Sequence, residues 1–203
     1  MKIEYTPVSE VGSTISESGY MTYSTNYPVD LSTISGGTAY VASSVTNGMV
    51  VLTKCTDKVP VGTGLIIAGT AGADFTIQTY SDAATFSGTN LLVGLPNGGT
   101  VAAATEGYNY VFGWTDPTNP GFYKVTTDEA ALGNFKAYLH TTDALGNATA
   151  RLGLTIDGDE TTAVQYVETT SQHSSNVFDL QGRRISQPAK GLYIMNGKKY
   201  MVK

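Results

Sequence analysis

The chain holds one cysteine, two histidines and one tryptophan in 203 residues, and each scarcity removes a class of chemistry. A lone thiol forms no intramolecular disulfide. Cys55 falls in the segment MVVLTKCT, whose alternation fits a strand, and it reads as a small buried hydrophobe rather than a nucleophile. His140 and His173 stand too far from it in sequence to suggest a metal site, and no cofactor is implied. Charged residues make up only 14% of the chain, so solubility rests on Thr, Ser, Asn and Gly, a composition commoner in extracellular β proteins than in cytosolic enzymes. A pI near 4.9 argues against a nucleic-acid partner, because phosphate binding needs clustered cations. No stretch approaches the roughly 20 apolar residues of a membrane-spanning helix, so no transmembrane segment is expected. The start MKIEYTPVSE has no charged n-region, apolar h-region or cleavage site. It fits either a cytosolic protein or a piece of a longer exported chain.

Also missing are the GxSxG, HExxH, P-loop and dinucleotide-binding patterns. The glycine-rich segments Gly62-Thr63-Gly64 and Gly69-Thr70-Ala71-Gly72 abut strand-like runs instead of opening a helix, so they read as turns and not as phosphate cradles.

What is present favours strands: 23 Gly, 13 Tyr and abundant Thr and Val. Lys2–Val8 alternates weakly around Pro7, as an edge strand does. After the Ser/Gly stretch Gly12–Gly19, strands are predicted at Tyr20–Ser24, Thr38–Ala42, Met49–Lys54, Gly64–Ala68 and Phe75–Tyr80. The second half continues with Asn90–Val93, Thr100–Ala104, Tyr108–Trp114, Gly121–Thr126, Phe135–His140 and Arg151–Ile156. Short strands separated by Gly, Asn and Pro are the pattern of a sandwich or barrel. Asn47-Gly48 between two alternating runs is the strongest hairpin signal, since both residues accept the positive φ of a type I′ turn. The turn-forming run Asp116–Gly121 predicts that Tyr108–Trp114 and Gly121–Val125 pair antiparallel. Thr127–Gly133 (TDEAALG) reads as one helical turn with acidic residues at its start and a glycine stop. A faint echo between GGTAYVA (36–42) and NFKAYLH (134–140) hints at two similar β units.

Asp157, Asp159 and Glu160 cluster as a calcium loop begins, but the pattern lacks the following glycine and the distant bidentate glutamate, so a solvated turn is expected. Asp128-Glu129 reads as charge at a helix start. Asn147-Ala148-Thr149 matches a glycosylation sequon, a triplet common by chance. Tyr108, Tyr110, Phe112 and Trp114 alternate and therefore share one strand face. That face is either core or, with Tyr108, Tyr110 and Trp114 turned to solvent, a platform on which sugar rings would stack.

The last 27 residues stand apart. Residues 177–203 carry six of the twelve Lys and Arg and only Asp179 against them, a net +5, which leaves −10 on residues 1–176. They read as two hairpins too small to hold a core alone. Between them and the main domain, Asp157–Asn176 is polar and nearly free of periodicity, and residues 166–176 are taken as a linker. The segments VFDLQGRRI and KGLYIMNGKKYMVK at the end of the chain resemble the C-terminal sorting region of secreted and surface proteins of the Bacteroidota, the type IX secretion signal and its abbreviated forms. The resemblance rests on Asp179, Gly182, Arg183, Arg184, Gly191, Tyr193, Lys198, Lys199 and Lys203. More loosely, SGYMTYSTNYPVDLS, GTAYVA, KVPVGTGLIIAGTAG and RLGLTIDGDETTAV resemble β regions that precede such tails in uncharacterised surface proteins. These likenesses imply a secreted or cell-surface protein whose partners are the secretion or surface-attachment machinery, with glycans or host surface proteins as further candidates.

The expected structure is all-β: an antiparallel, jelly-roll-like β-sandwich over residues 1–165, the linker, and a small C-terminal β-hairpin appendix over 177–203. The expected role is non-enzymatic, with the tail serving secretion or attachment and the sandwich acting as a spacer or adhesive domain. A carbohydrate-binding module is the alternative.

Overall fold

A computed structural model describes residues 8–81, 85–126, 128–142 and 150–158, together with the backbone of four short strands between 177 and 202. The described chain is all-β, with no helix. It divides into two compact units, Met1–Val164 and Gln165–Lys203.

The first unit contains fifteen described strands: β1 Glu10–Thr14, β2 Tyr20–Tyr23, β3 Val29–Ser35, β4 Thr38–Thr46, β5 Met49–Lys54, β6 Lys58–Val59, β7 Leu65–Ala68, β8 Asp74–Thr79, β9 Leu92–Leu95, β10 Gly99–Val101, β11 Tyr108–Gly113, β12 Gly121–Lys124, β13 Ala130–Leu132, β14 Lys136–Thr141 and β15 Arg151–Ile156. Nine of them make one sheet in the order β2-β7-β4-β5-β15-β12-β11-β14-β9. Every pairing in it is antiparallel except β15 against β5, which is parallel and joins the two halves of the chain. A second sheet runs β1-β8-β3-β6, and β10 and β13 form a two-stranded ribbon.

The large sheet curls until its ends approach. Thr63, just before β7, bridges Val93 of β9; the Ser24 amide donates to the Phe135 carbonyl at 3.2 Å, and the Gly62 amide to the Thr25 carbonyl at 3.0 Å. Glycine makes the seam possible: a Cβ on Gly94 would stand 2.2 Å from the Gly62 carbonyl oxygen and 2.3 Å from Ser24 Oγ. Ala42, Val50, Leu52, Ile66, Leu92, Tyr110, Phe122, Leu139 and Leu152 fill one core, drawn from both halves of the sheet. Asn90 ties those halves together. Its Oδ1 accepts from the Ala42 and Leu92 amides at 3.3 and 3.1 Å, and its Nδ2 donates to the Gly64 carbonyl at 2.8 Å.

A second core lies between the four-stranded sheet and the other face of β2, β7 and β4. Ile15, Val29, Leu31, Phe75 and Ile77 pack there on Tyr23, Ala39, Val41, Leu65 and Ile67. The Phe75 ring meets Tyr23 edge to face at 5.1 Å. Each such side chain removed from water contributes about 1.5–3 kcal/mol, so this sandwich layer holds the first half firmly.

The topology is duplicated. Strands β2 to β7 and β9 to β14 follow the same plan: spatial order 2-7-4-5 in one and 9-14-11-12 in the other, with β3–β6 and β10–β13 as the separate pair. The registers coincide as well. Tyr40 opposes Lys54 as Tyr110 opposes Lys124, Tyr40 opposes Ile66 as Tyr110 opposes Leu139, and Tyr23 opposes Leu65 as Val93 opposes Tyr138. The sequence echo suggested two similar β units but aligned β4 with β14. By topology β4 answers to β11, and β14 to β7; the echo matched two strands of like composition and different position.

Several local expectations hold. Asn47 and Gly48 have φ of 52° and 74° and join β4 to β5 as a tight hairpin. β11 and β12 pair antiparallel across the Asp116–Pro120 turn. Others need correction. Residues 130–132 of the expected helical turn are strand β13, because pairing with β10 supplies the backbone partners that a lone helical turn would lack. β1 occupies part of the stretch read as Ser/Gly loop, and β3, unforeseen behind Pro28, is an inner strand of the covering sheet. The edge strand at 2–8 falls outside the described residues but for Val8, as do Asn147, Asp159, Glu160 and the linker 166–176.

In the second unit, β16 Val177–Phe178, β17 Arg184–Ile185, β18 Gly191–Met195 and β19 Lys198–Val202 form a four-stranded antiparallel sheet in the order β17-β16-β18-β19.

Candidate functional site

Among the described residues, no three of His, Cys, Asp and Glu come together as a metal site would require. Cys55 is 4% exposed, and burial pushes its thiol pKa up, away from the thiolate a nucleophile needs. Asp157 and Gly158 form a turn in which Gly158 has φ 80°, and the Asp157 amide donates to the Leu52 carbonyl.

The aromatic row of β11 does lie on one strand face, but that face points into the barrel. Tyr110 is 1% exposed in the core, with its phenol pKa raised by burial first and by neighbouring Tyr108 second. Tyr108 and Phe112 pack on the same core half-buried, Phe112 against Phe122 at 5.5 Å and against Trp114 at 6.1 Å. The Lys124 ammonium sits 4.0 Å over the Tyr108 ring. A sugar platform of Tyr108, Tyr110 and Trp114 is therefore corrected: its middle ring, Tyr110, is buried in the core and inaccessible, while Tyr108 and Trp114 are half-buried. A cavity of about 350 Å³ opens beside Tyr108 and Lys124, lined otherwise by Ala103, Ala104, Gly107, Val125 and Thr126.

Two further half-buried aromatics, Tyr123 and Tyr138, lie on the opposite face of the sheet. Register places Val93, Tyr138, Val111 and Tyr123 in one row across β9, β14, β11 and β12. Val93 is 40% exposed and the other three are half-buried. Tyr123 packs its ring over Gly113, and the Arg151 guanidinium stands 5.7 Å from that ring. Below the row, Asn109 and His140 oppose each other and share a 2.8 Å hydrogen bond between Asn109 Oδ1 and His140 Nδ1, while Asn109 Nδ2 donates to the Ala102 carbonyl at 2.9 Å. Lys136 completes the face, its pKa lowered by burial.

In the first repeat Val93, Tyr138 and Val111 are answered by Tyr23, Leu65 and Val41, all at most 4% exposed beneath β8, and Tyr123 by the half-buried Thr53. No residue of the exposed row stood out in the sequence. Tyr123 and Tyr138 are fifteen positions apart, and only β11 between their strands brings them to one stripe.

In the tail sheet, Arg184 belongs to β17, Gly191 and Tyr193 to β18, and Lys198 and Lys199 to β19; Asp179, Gly182, Arg183 and Lys203 lie outside the described residues. β18 is central and β19 is an edge, paired with β18 alone among the described strands.

Comparison with protein-family models, with curated proteins and with solved structures finds no significant match to this chain.

Proposed function

We propose that this chain is a non-enzymatic C-terminal module of an exported or cell-surface protein, in which the tail serves secretion or surface attachment and the larger β unit is a folded spacer or adhesive domain. The observation that carries this reading is the charge division: +5 on residues 177–203 against −10 on the remainder, with Arg184, Lys198 and Lys199 in strands of a short four-stranded sheet. The likeness of VFDLQGRRI and KGLYIMNGKKYMVK to type IX sorting tails supports it.

The mechanism is strand addition. An edge strand leaves one side of its backbone N–H and C=O groups unpaired, and β19 at the sheet edge offers that side to a partner strand. Lys198 and Lys199 in that strand, with Arg183, Arg184, Lys190 and Lys203 nearby in sequence, set a preference for an acidic partner surface. Asp179, Gly182, Gly191 and Tyr193 hold the sorting pattern's turn and strand positions.

The test is deletion of Val177–Lys203 from the full-length protein in its own cell. Export and surface display are expected to fall to background while the protein accumulates inside. Unchanged display by surface labelling sinks the proposal. Lys198→Glu with Lys199→Glu, which keeps the strand and reverses its charge, is expected to reduce display and leave expression unchanged.

A further inference from the structure

We propose that the outer face of the second repeat is a docking surface for an extended peptide strand from another chain. The strand would add to the edge of β10 that no described strand pairs with, and cover Val93, Tyr138 and Val111 with apolar side chains at alternate positions.

The first repeat supplies the template. There β3 pairs with β6 on one side and with β8 on the other, Val29 opposing Thr79 and Asp30 opposing Gln78. From that position β8 sends Phe75 and Ile77 into the layer over Tyr23, Leu65 and Val41, and the three become buried. In the second repeat β10 and β13 reproduce β3 and β6: Gly99 opposes Leu132 as Val29 opposes Val59, and Val101, like Leu31, is buried. Among the described residues no strand corresponds to β8. The next described strand after the repeat is β15, which pairs with β12 and β5 in the large sheet. Among the described strands β10 pairs with β13 alone, and Gly99 and Thr100 are exposed on it.

The face beneath has changed as a strand-docking surface would. A row of two tyrosines and two valines across four strands is apolar enough to reward burial and carries phenol groups that stay hydrated when it is empty. The position of fully packed Tyr23 is taken by Val93, 40% exposed. The position of the buried Ala39–Ile67 pair is taken by Asn109 and His140, hydrogen-bonded to each other. These polar groups satisfy one another at the border of the stripe, so a strand covering the row need not strand them. Main-chain pairing to β10 would supply affinity, and two large side chains two residues apart would supply selectivity.

The first repeat's own covering strand is the natural probe. A fluorescent peptide of sequence ADFTIQTY, residues 73–80, is titrated against the intact chain by anisotropy. Saturable binding is expected, absent for the peptide with serine in place of its Phe and Ile. Val93→Lys, at an exposed position, and Tyr138→Ser are each expected to weaken binding about tenfold or more, the equivalent of roughly 1.4 kcal/mol, with thermal melts confirming that both variants fold. Three results overturn the proposal: no saturable binding, binding undiminished in both folded variants because the peptide displaces β8 or sits elsewhere, or a neutral oligosaccharide bound in place of the peptide and lost in the same variants.

Discussion

In the first repeat Tyr23, Leu65 and Val41 lie under a four-stranded sheet, whereas in the second Val93, Tyr138 and Val111 hold the same registers and remain partly open, the separate pair of that repeat being a two-stranded ribbon. The six-strand plan is shared, so the difference does not arise from the frame. Among the described strands it arises from two additional ones, β1 and β8, packed on the first repeat, and from where β15 goes. A strand following the first repeat folds back over it; the next described strand after the second is taken into the large sheet beside β5. Among the described residues one repeat thus buries its outer face beneath β8, and the other leaves Val93 exposed and Tyr138 and Val111 half-buried.

That contrast can be broken most forcefully at matched positions. Leu65→Ala is expected to destabilise the protein by about 2–5 kcal/mol, as truncation of a buried core leucine does, while Tyr138→Ala at the corresponding register is expected to cost about 1 kcal/mol or less. Urea unfolding followed by circular dichroism measures both, and equal losses would show that the second face is covered as fully as the first. Gly94→Ala strikes the seam between the repeats. A methyl group there meets the Gly62 carbonyl oxygen at 2.2 Å, so backbone must move, and a loss of roughly 3 kcal/mol is expected in the same assay.

Asn90→Ala removes the side chain that links Ala42, Leu92 and Gly64. A loss of about 1–3 kcal/mol is expected from the unmet backbone groups. If the repeats are energetically coupled through it, the thermal transition should also broaden. The smallest effect belongs to Lys136. Burial lowers its pKa, so the folded chain holds that proton less tightly than the unfolded chain, and folding is penalised wherever the amine is charged. The penalty is fully present below the folded pKa and fades as pH rises through it toward the ordinary lysine value near about 10.4. Lys136→Leu is therefore expected to raise Tm slightly at pH 7, with the gain shrinking in alkaline buffer. A gain that does not change with pH would assign the effect to packing.

Legibility in the sequence followed the range of the forces. Asn47-Gly48 was readable because the positive φ of a type I′ turn is a property of two residues. Arg151–Ile156 was readable because its apolar run is strand-length and bounded. β13 was not, because Ala130–Leu132 has helical propensity locally and becomes strand only by pairing with β10. β3 was hidden by Pro28, although Val29 and Leu31 alternate as buried strand residues do. The candidate surface was the least visible part. Its tyrosines belong to strands separated in sequence by β13, and the alternation in KAYLH that would expose Tyr138 equally suits a buried face.

By itself, the sequence determined the fold class, the division of charge between body and tail, and the shared side of Tyr108, Tyr110, Phe112 and Trp114, because strand propensity, net charge and period-two alternation are local quantities. Only the tertiary structure decided which side of β11 faced inward. Alternation separates two faces without ranking them, and the ranking came from which face the curled sheet enclosed and from where β8 and β15 were placed.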